Sequence, residues 1–425
     1  MRIVIDISGY HLRNMGDVSM LQIAAQRLRS RLPDCDLAIL TTDPERLAKF
    51  VGGRPLDPLS RVRWNKAPIL PRRPAWFPAN FDNYLTRNEL SFREFRPRLA
   101  NRLAAATELV TLNHRNRAVE FAREIERADL VVATGGGFLT DAFETEAIET
   151  LQTLTLGLRF GKPTVLLGQG IGPVANPSLM SQMAAVLPRL DLITLRERRA
   201  AEPILRELGV PSDRVVCTGD DAVELAHALR PNQLGNDLGV NVRLSYYSGV
   251  SDEDRRAFST AIGAFLADSD RQARPIPISF HESENDEQSA RQLIDVSRLA
   301  TDHPVTDTPE SIIRAVGRCR LVVTGSYHAA VFALSQGVSV VGWARSPYYE
   351  DKFLGLADMF GAGCHVVREH GPAIHDALLA ALRNCDAQAD AAREPLLQAA
   401  RRQIERANNA YGQVCHLISR SGFPA

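Results

Sequence analysis

Short apolar runs that end in glycine, serine or threonine alternate with amphipathic stretches along almost the whole chain. That alternation is what βαβ units require, because parallel strands can only be joined by crossovers, usually helices. It predicts an α/β fold. In the N-terminal half the expected strands are Ile3–Ile7, Leu37–Thr41, Val62–Trp64, Leu130–Ala133, Thr164–Leu167, Leu192–Leu195 and Val215–Cys217. Helical patterns fill the gaps at Val18–Arg31, Ala118–Arg127, Glu144–Phe160 and Arg198–Leu208.

Pro, Gly and polar residues cluster at 229–237, as linkers do, and a second alternating region follows. Its strands are expected at Leu238–Val242, Pro275–Ser279, Leu321–Thr324 and Val338–Gly342. Its helices are expected at Asp252–Ala267, Glu287–Leu299, Ser311–Gly317, Ala329–Gln336 and Ile374–Arg383. A chain of 425 residues suits two domains better than one core. The reading is two Rossmann-like domains, 1–230 and 238–385, with parallel sheets facing across a cleft. A helical segment at 386–425 would pack back toward the hinge. Residues 66–100 break the rhythm: Pro68, Pro71, Pro74 and Pro78 alternate there with Trp76, Phe77, Phe81 and Tyr84. Such an irregular insert is either an anchored surface loop or a lip over the cleft. In doubly wound sheets, ligands bind beyond the carboxyl ends of the strands.

Composition excludes several classes. Fifty basic residues balance fifty acidic ones, which argues against a nucleic-acid partner. Arginine greatly outnumbers lysine, as in proteins of GC-rich bacteria, so a retained lysine can mark a need for a compact ammonium. No run approaches the ~18 apolar residues of a membrane span. The N-terminus opens directly on a strand-like run, so no signal peptide is expected. None of the six cysteines forms a CxxC pair, so reduced thiols, a cytoplasmic setting and no structural zinc are expected. Association with the inner face of a membrane, through a partner or a lipid-linked substrate, stays open, as does oligomerisation.

Several strand ends carry chemistry. In Asn14-Met-Gly16-Asp17, Gly16 permits close approach and Asp17 can cap the following helix. The segment is neither a dinucleotide fingerprint nor a Walker A loop. Gly135-Gly136-Gly137 can present consecutive backbone N–H groups to an anion, or form a crowded turn. Gly168-Gln169-Gly170-Ile-Gly-Pro173 follows the next strand and shares that surface. Asp220-Asp221 suits capping or hinge contacts better than a metal, since no third ligand accompanies it. Arg243, at the end of the first strand of the second half, can clamp a carboxylate or phosphate, or make a surface ion pair.

Thr324-Gly-Ser326-Tyr327-His328 is the most informative segment. Ser326 is a good N-cap, and His328 lies in the first turn, where the helix carries partial positive charge. A bound phosphate there would favour the protonated imidazole, which suits acid–base chemistry. A histidine packed between helix and sheet is the other reading. Arg345 and Lys352 add cations on the same rim.

Taken in order, these pieces resemble the polysaccharide pyruvyl transferase family. They are Asn14-x-Gly16-Asp17, Gly135–Gly137, Gly168–Pro173, Leu195-Arg-Glu197, Asp221-Ala, Val242-Arg243, Ser326-Tyr327-His328 with Phe332-Ala-Leu, and Tyr349–Lys352. The resemblance runs from Asn14 to about Gly361. It implies a fold similar to B-type (GT-B) glycosyltransferases and a cytoplasmic bacterial enzyme of exopolysaccharide biosynthesis. The implied reaction moves pyruvate from phosphoenolpyruvate, a co-substrate, onto two hydroxyls of a saccharide as a ketal, releasing phosphate. The acceptor can be free or lipid-linked, and no cofactor or metal is implied. His328 would handle a proton. Arg243, with Ser326, Tyr327, Arg345 and Lys352, would hold the donor. Asn14, Gly16, Asp17, Gly136, Gly137, Gln169, Gly170 and the aromatic insert would face the acceptor. Several members carry an arginine where this chain has Ser326, which leaves the mode of donor binding open. A nucleotide-sugar glycosyltransferase and a non-catalytic binding protein are the alternatives.

Overall fold

The computed structural model describes residues 1–7, 9–66, 89, 92, 96–110, 118–242, 250–281, 284–302 and 307–420. Its first sheet holds β1 (Arg2–Asp6), β2 (Asp36–Leu40), β3 (Arg54–Leu56), β4 (Leu130–Ala133), β5 (Gly136–Leu139), β6 (Thr164–Ile171), β7 (Leu192–Leu195) and β8 (Val215–Cys217). The order is β3-β2-β1-β4-β6-β7-β8, with β5 against β6, and all pairs are parallel. Why the strands read as unbroken apolar runs is visible in the packing. Ile3, Ile5, Leu37, Ile39, Leu130 and Val132 enter one buried layer with the helix Met15–Arg31. Their neighbours Val4, Ala38, Leu40 and Val131 enter the opposite layer against Phe121 and Ile125. Both faces are covered, as a parallel sheet demands.

Two expectations for this half are corrected. Val62–Trp64 is not a strand but part of the helix Pro58–Lys66. Asp57 accepts from the Leu59 N–H, Pro58 stands at the first helical position, and Arg61 and Trp64 are buried at helical spacing. The strand at the sheet edge is instead Arg54–Leu56. The glycine segments, expected as loops, are largely strand. Gly136 pairs with Gln169, and Leu139 with Ile171. Pairing of β6 shifts register around Gly168, whose φ of +62 puts a kink there.

The second sheet is β10-β9-β13-β14-β15, again parallel. Its strands are β9 (Asp237–Asn241), β10 (Ala273–Pro275), β13 (Cys319–Thr324), β14 (Ser339–Trp343) and β15 (Cys364–Val367). A short antiparallel pair, β11 (Phe280–His281) with β12 (Glu284–Asn285), lies apart. The expected strand Pro275–Ser279 ends at Pro275, because the chain then leaves the sheet to meet the Asn14 loop. Met15 N–H donates to the Ile278 carbonyl at 2.9 Å, and Phe280 N–H to the Arg13 carbonyl at 3.0 Å. This seam joins the two halves beside the strand ends. From Ala373 to Arg420 the chain is one helix, with Pro395 inside it. Among the described residues no helix is long and apolar enough to cross a membrane. Most of the aromatic insert, and Arg243, lie outside the described residues.

Candidate active site

The helix Tyr327–Ser335 starts directly after β13, so its first turn sits at a strand end. Ser326 occupies the N-cap position, but its hydroxyl makes no capping bond. Its own N–H donates to Thr324 Oγ1 at 2.7 Å instead. His328, 6% exposed, points toward the first sheet. Gly16 is what lets it arrive: a Cβ at that position would overlap the imidazole ring. The cap of the helix carrying Gly16 is Asn14, whose Oδ1 accepts from Gly16 and Asp17 N–H at 3.0 and 3.4 Å. The cap expected from Asp17 is therefore corrected, and the Asp17 side chain lines the cavity.

His328 Nε2 lies 3.7 Å from Asp220 Oδ2. Asp220 stands just after β8, held by the Ala222 N–H donating to Oδ1 at 2.9 Å. Burial pushes its carboxyl up to about 7; the Arg196 guanidinium opposes that, while Asp221 and Asp17 add to it. Arg196 follows β7 and is 3% exposed. Its Nη1 is 4.0 Å from Asp220 Oδ2, and its guanidinium lies 4.0 Å from the Tyr327 ring centroid. Two bare glycines make room for it. Ideal Cβ atoms on Gly170 and Gly137 would come within 2.6 and 2.5 Å of its nitrogens. Lys352 approaches Gly137 from the other sheet, its Nζ 3.6 Å from the Tyr348 ring centroid. The ammonium donates to the Tyr348 hydroxyl, which donates to the Gly137 carbonyl.

Together these groups enclose a cavity of ≈ 90 Å³. Asn14, Asp17, Gly137, Phe138, Phe143 and Arg196 line it from the first half. Gly325, Ser326, Tyr327, His328, Tyr348, Tyr349 and Lys352 line it from the second. The arrangement offers two cations, an imidazole with a buried carboxyl close behind it, and an aromatic wall.

An expected consequence concerns stability. The Asp220 carboxyl titrates near 7 in the fold against 3.8 ordinarily, so the native state holds a proton that the unfolded chain gives up between those values. Its contribution is complete below pH ~4 and is lost as pH rises through 7. Asn carries no such proton. The Tm of Asp220→Asn relative to the parent should therefore climb between pH 4 and 7 in a differential scan. A difference flat with pH would show that Asp220 ionises like any surface carboxylate.

Of the residues singled out in the sequence, the cavity brings together Asn14, Asp17, Gly137, Ser326, Tyr327, His328 and Lys352. Others serve it from behind. Gly16 and Gly170 yield space to His328 and Arg196, and Gly136 and Gln169 are paired within the sheet. Arg345 does not line the cavity; its guanidinium stacks 5.1 Å from the Trp343 ring and 5.6 Å from Tyr349. Arg196, Tyr348, Tyr349, Phe138 and Phe143 were not expected there, nor was Asp220 behind His328. Arg196 had a signal, since it directly follows a strand in Leu195-Arg-Glu197. The pairing of Asp220 with His328 had none, because it joins distant parts of the chain.

The family model for polysaccharide pyruvyl transferase matches residues 14–347. The chain belongs to the polysaccharide pyruvyl transferase family. The matched span contains His328, Asp220 and Arg196; Lys352 falls just past it. Among curated proteins none matches the sequence. Solved structures with the same architecture include a Listeria monocytogenes protein assigned as a UDP-N-acetylglucosamine 2-epimerase. It is 12% identical, with a TM-score of 0.55, covering 94% of this chain and 91% of that one. S. aureus MnaA, solved with UDP, gives 12% identity and a TM-score of 0.54 over 94% and 93% of the two chains. A Rickettsia africae glycosyltransferase gives 10% and 0.51 over 99% and 98%. At such identities the likeness is one of fold, the GT-B-like pair of parallel sheets. Family and fold together make this pyruvyl transferase family member a saccharide-modifying transferase.

Proposed function

We propose that the protein transfers pyruvate from phosphoenolpyruvate to two hydroxyls of one saccharide, closing a ketal and releasing phosphate. The observation that carries this reading is the meeting of Arg196, Lys352 and His328 in one small cavity, with the Asp220 carboxyl buried behind His328 and Arg196. A three-carbon acid phosphate needs fixed cations and a proton source, not a nucleotide pocket. Arg196 offers the planar fork that suits a carboxylate or phosphate, and Lys352 a point charge. Arg196 would thus supply the guanidinium that Ser326 cannot. Arg243, next in sequence after Val242 beyond β9, is proposed as a further cation.

The steps balance without an added co-reactant. Protonation of the methylene carbon makes it a methyl group and leaves C2 electron-poor. One sugar hydroxyl adds to C2. The C2–O bond to phosphate then breaks, and the second hydroxyl closes the ketal. One hydroxyl proton replaces that taken by the methyl group, and the other leaves with phosphate. Asp220, protonated near neutrality, and His328 are suited to give and take these protons. Tyr348, Tyr349, Phe138 and Phe143 would offer apolar faces to sugar rings.

A nucleotide-sugar reaction is the second reading, favoured by the shared fold with the UDP-bound MnaA structure. Ligand-induced stabilisation separates the two. Phosphoenolpyruvate at about 100 times its Kd should add about 2.7 kcal/mol, a Tm rise of roughly 2–4 °C, with UDP inert. Stabilisation by UDP alone would reverse the assignment.

A further inference from the structure

Asp220 sits in a turn that is held from behind. Gly219 has φ +90, and the Gln403 side chain occupies the space where a Cβ would stand. Gln403 is buried and donates to the Met359 carbonyl at 3.4 Å. The next residue, Asp221, accepts from the Tyr411 hydroxyl at 2.6 Å and from Arg27. Arg27 reaches Glu224 at 2.6 Å and lies 5.0 Å from the Tyr411 ring centroid. All of these groups are buried save Glu224, which is partly exposed. Burial raises the Tyr411 phenol well above its ordinary range, so it stays a donor. Gln403 and Tyr411 both belong to the C-terminal helix Ala373–Arg420.

That same helix also holds the His328 side of the cavity. Arg393 donates to the Gln336 carbonyl at 3.0 Å, and Gln336 is the C-cap of the helix that begins beside His328. Asp386 pairs with Arg320 of β13 at 2.9 Å, and Cys385 is buried beneath β14. One helix therefore touches both the turn of Asp220 and the helix of His328. These two groups come from different sheets, and their separation decides whether a proton can pass between them.

We propose that the C-terminal helix is the positioning element of the Asp220–His328 pair, with Tyr411 and Gln403 as its positioning residues. The inference rests on the reading that this pair moves protons in pyruvyl transfer. Tyr411 touches neither cavity nor substrate; it acts through Asp221. Arg196, Asp17, Asp221, Tyr327 and His328 are charged or titratable groups facing Asp220, and a loosened turn would change its distance to each while admitting water.

The test uses Tyr411→Phe in the full chain, which keeps the ring over Arg27 and removes only the donor. Two readouts are taken. Phosphate release should show kcat lowered about tenfold with the KM for phosphoenolpyruvate unchanged. The pH dependence of Tm should show the Asp220 step, defined as the one that Asp220→Asn abolishes, displaced toward ordinary carboxylate values by about one pH unit as water enters. Gln403→Ala, which disturbs no ion pair, should move both readouts in the same directions and covers the case in which Tyr411→Phe does not fold. An unchanged step with unchanged kcat overturns the proposal, as does a raised KM with kcat intact. If the parent protein releases no phosphate from phosphoenolpyruvate, the reaction reading fails, and the Asp220 step still decides positioning.

Discussion

Replacing His328 by alanine should lower kcat for phosphate release by roughly 10²–10⁴-fold, the usual share of a positioned acid or base. The KM for phosphoenolpyruvate should change far less, because the cations that hold the donor stay in place. The geometry explains the expected size. His328 Nε2 and Asp220 Oδ2 are 3.7 Å apart, and burial pushes the carboxyl up to about 7. Near neutral pH the Asp220 carboxyl can therefore give up or take a proton at little cost. Alanine removes the imidazole and leaves the buried Asp220 without it, with Arg196 still 4.0 Å away. Gln at the same position keeps size and a donor but cannot titrate, so it should rescue folding without rescuing rate. Near-normal turnover in His328→Ala would end the acid–base assignment, whatever its effect on binding.

Much of this was legible in the sequence because parallel sheets enforce a simple pattern. β1, β2, β4, β7 and β13 lie within a residue or two of the apolar runs, since strands covered on both faces have no polar positions to blur them. The runs that misled were exceptions to that coverage. Val62 and Trp64 stand two apart and so mimic strand alternation, although the buried Arg61 and Trp64 keep helical spacing, and Arg54–Leu56, at the sheet edge, is too short and polar to stand out. Glycine misled in another way. Gly136 and Gly170 read as bare backbone for a ligand, whereas strand pairing occupies Gly136 and the Arg196 side chain fills the space beside Gly170. A sequence shows that something comes close to a glycine, not what. The His328 segment was readable because a strand, a cap position and an imidazole fall together in a few residues. The link of Asp220 to His328 was not, because its meaning comes from a partner at another strand end; Arg196 carried only its place after β7 as a signal.

Arg196 carries the second large effect. Arg196→Ala should weaken phosphoenolpyruvate binding by roughly 10²–10³-fold, about 3–4 kcal/mol, the scale on which removing one partner of a buried charge pair acts. Two consequences separate loss of a clamp from general damage. Arg196→Lys keeps the charge but not the planar fork, so it should recover only part of the affinity. Arg196 also opposes the upward drift of the Asp220 carboxyl, so its removal should move the Asp220 limb of the pH–rate profile further alkaline, above about 7. A variant that merely unfolds would lose activity with no displaced limb. Isothermal titration with phosphoenolpyruvate gives the first quantity and the pH profile of phosphate release the second. Unaltered donor affinity in Arg196→Ala would transfer the clamp to Lys352 and Arg243, and the bare glycines around Arg196 would then serve the sheet-to-sheet contact with Tyr327 instead of the substrate.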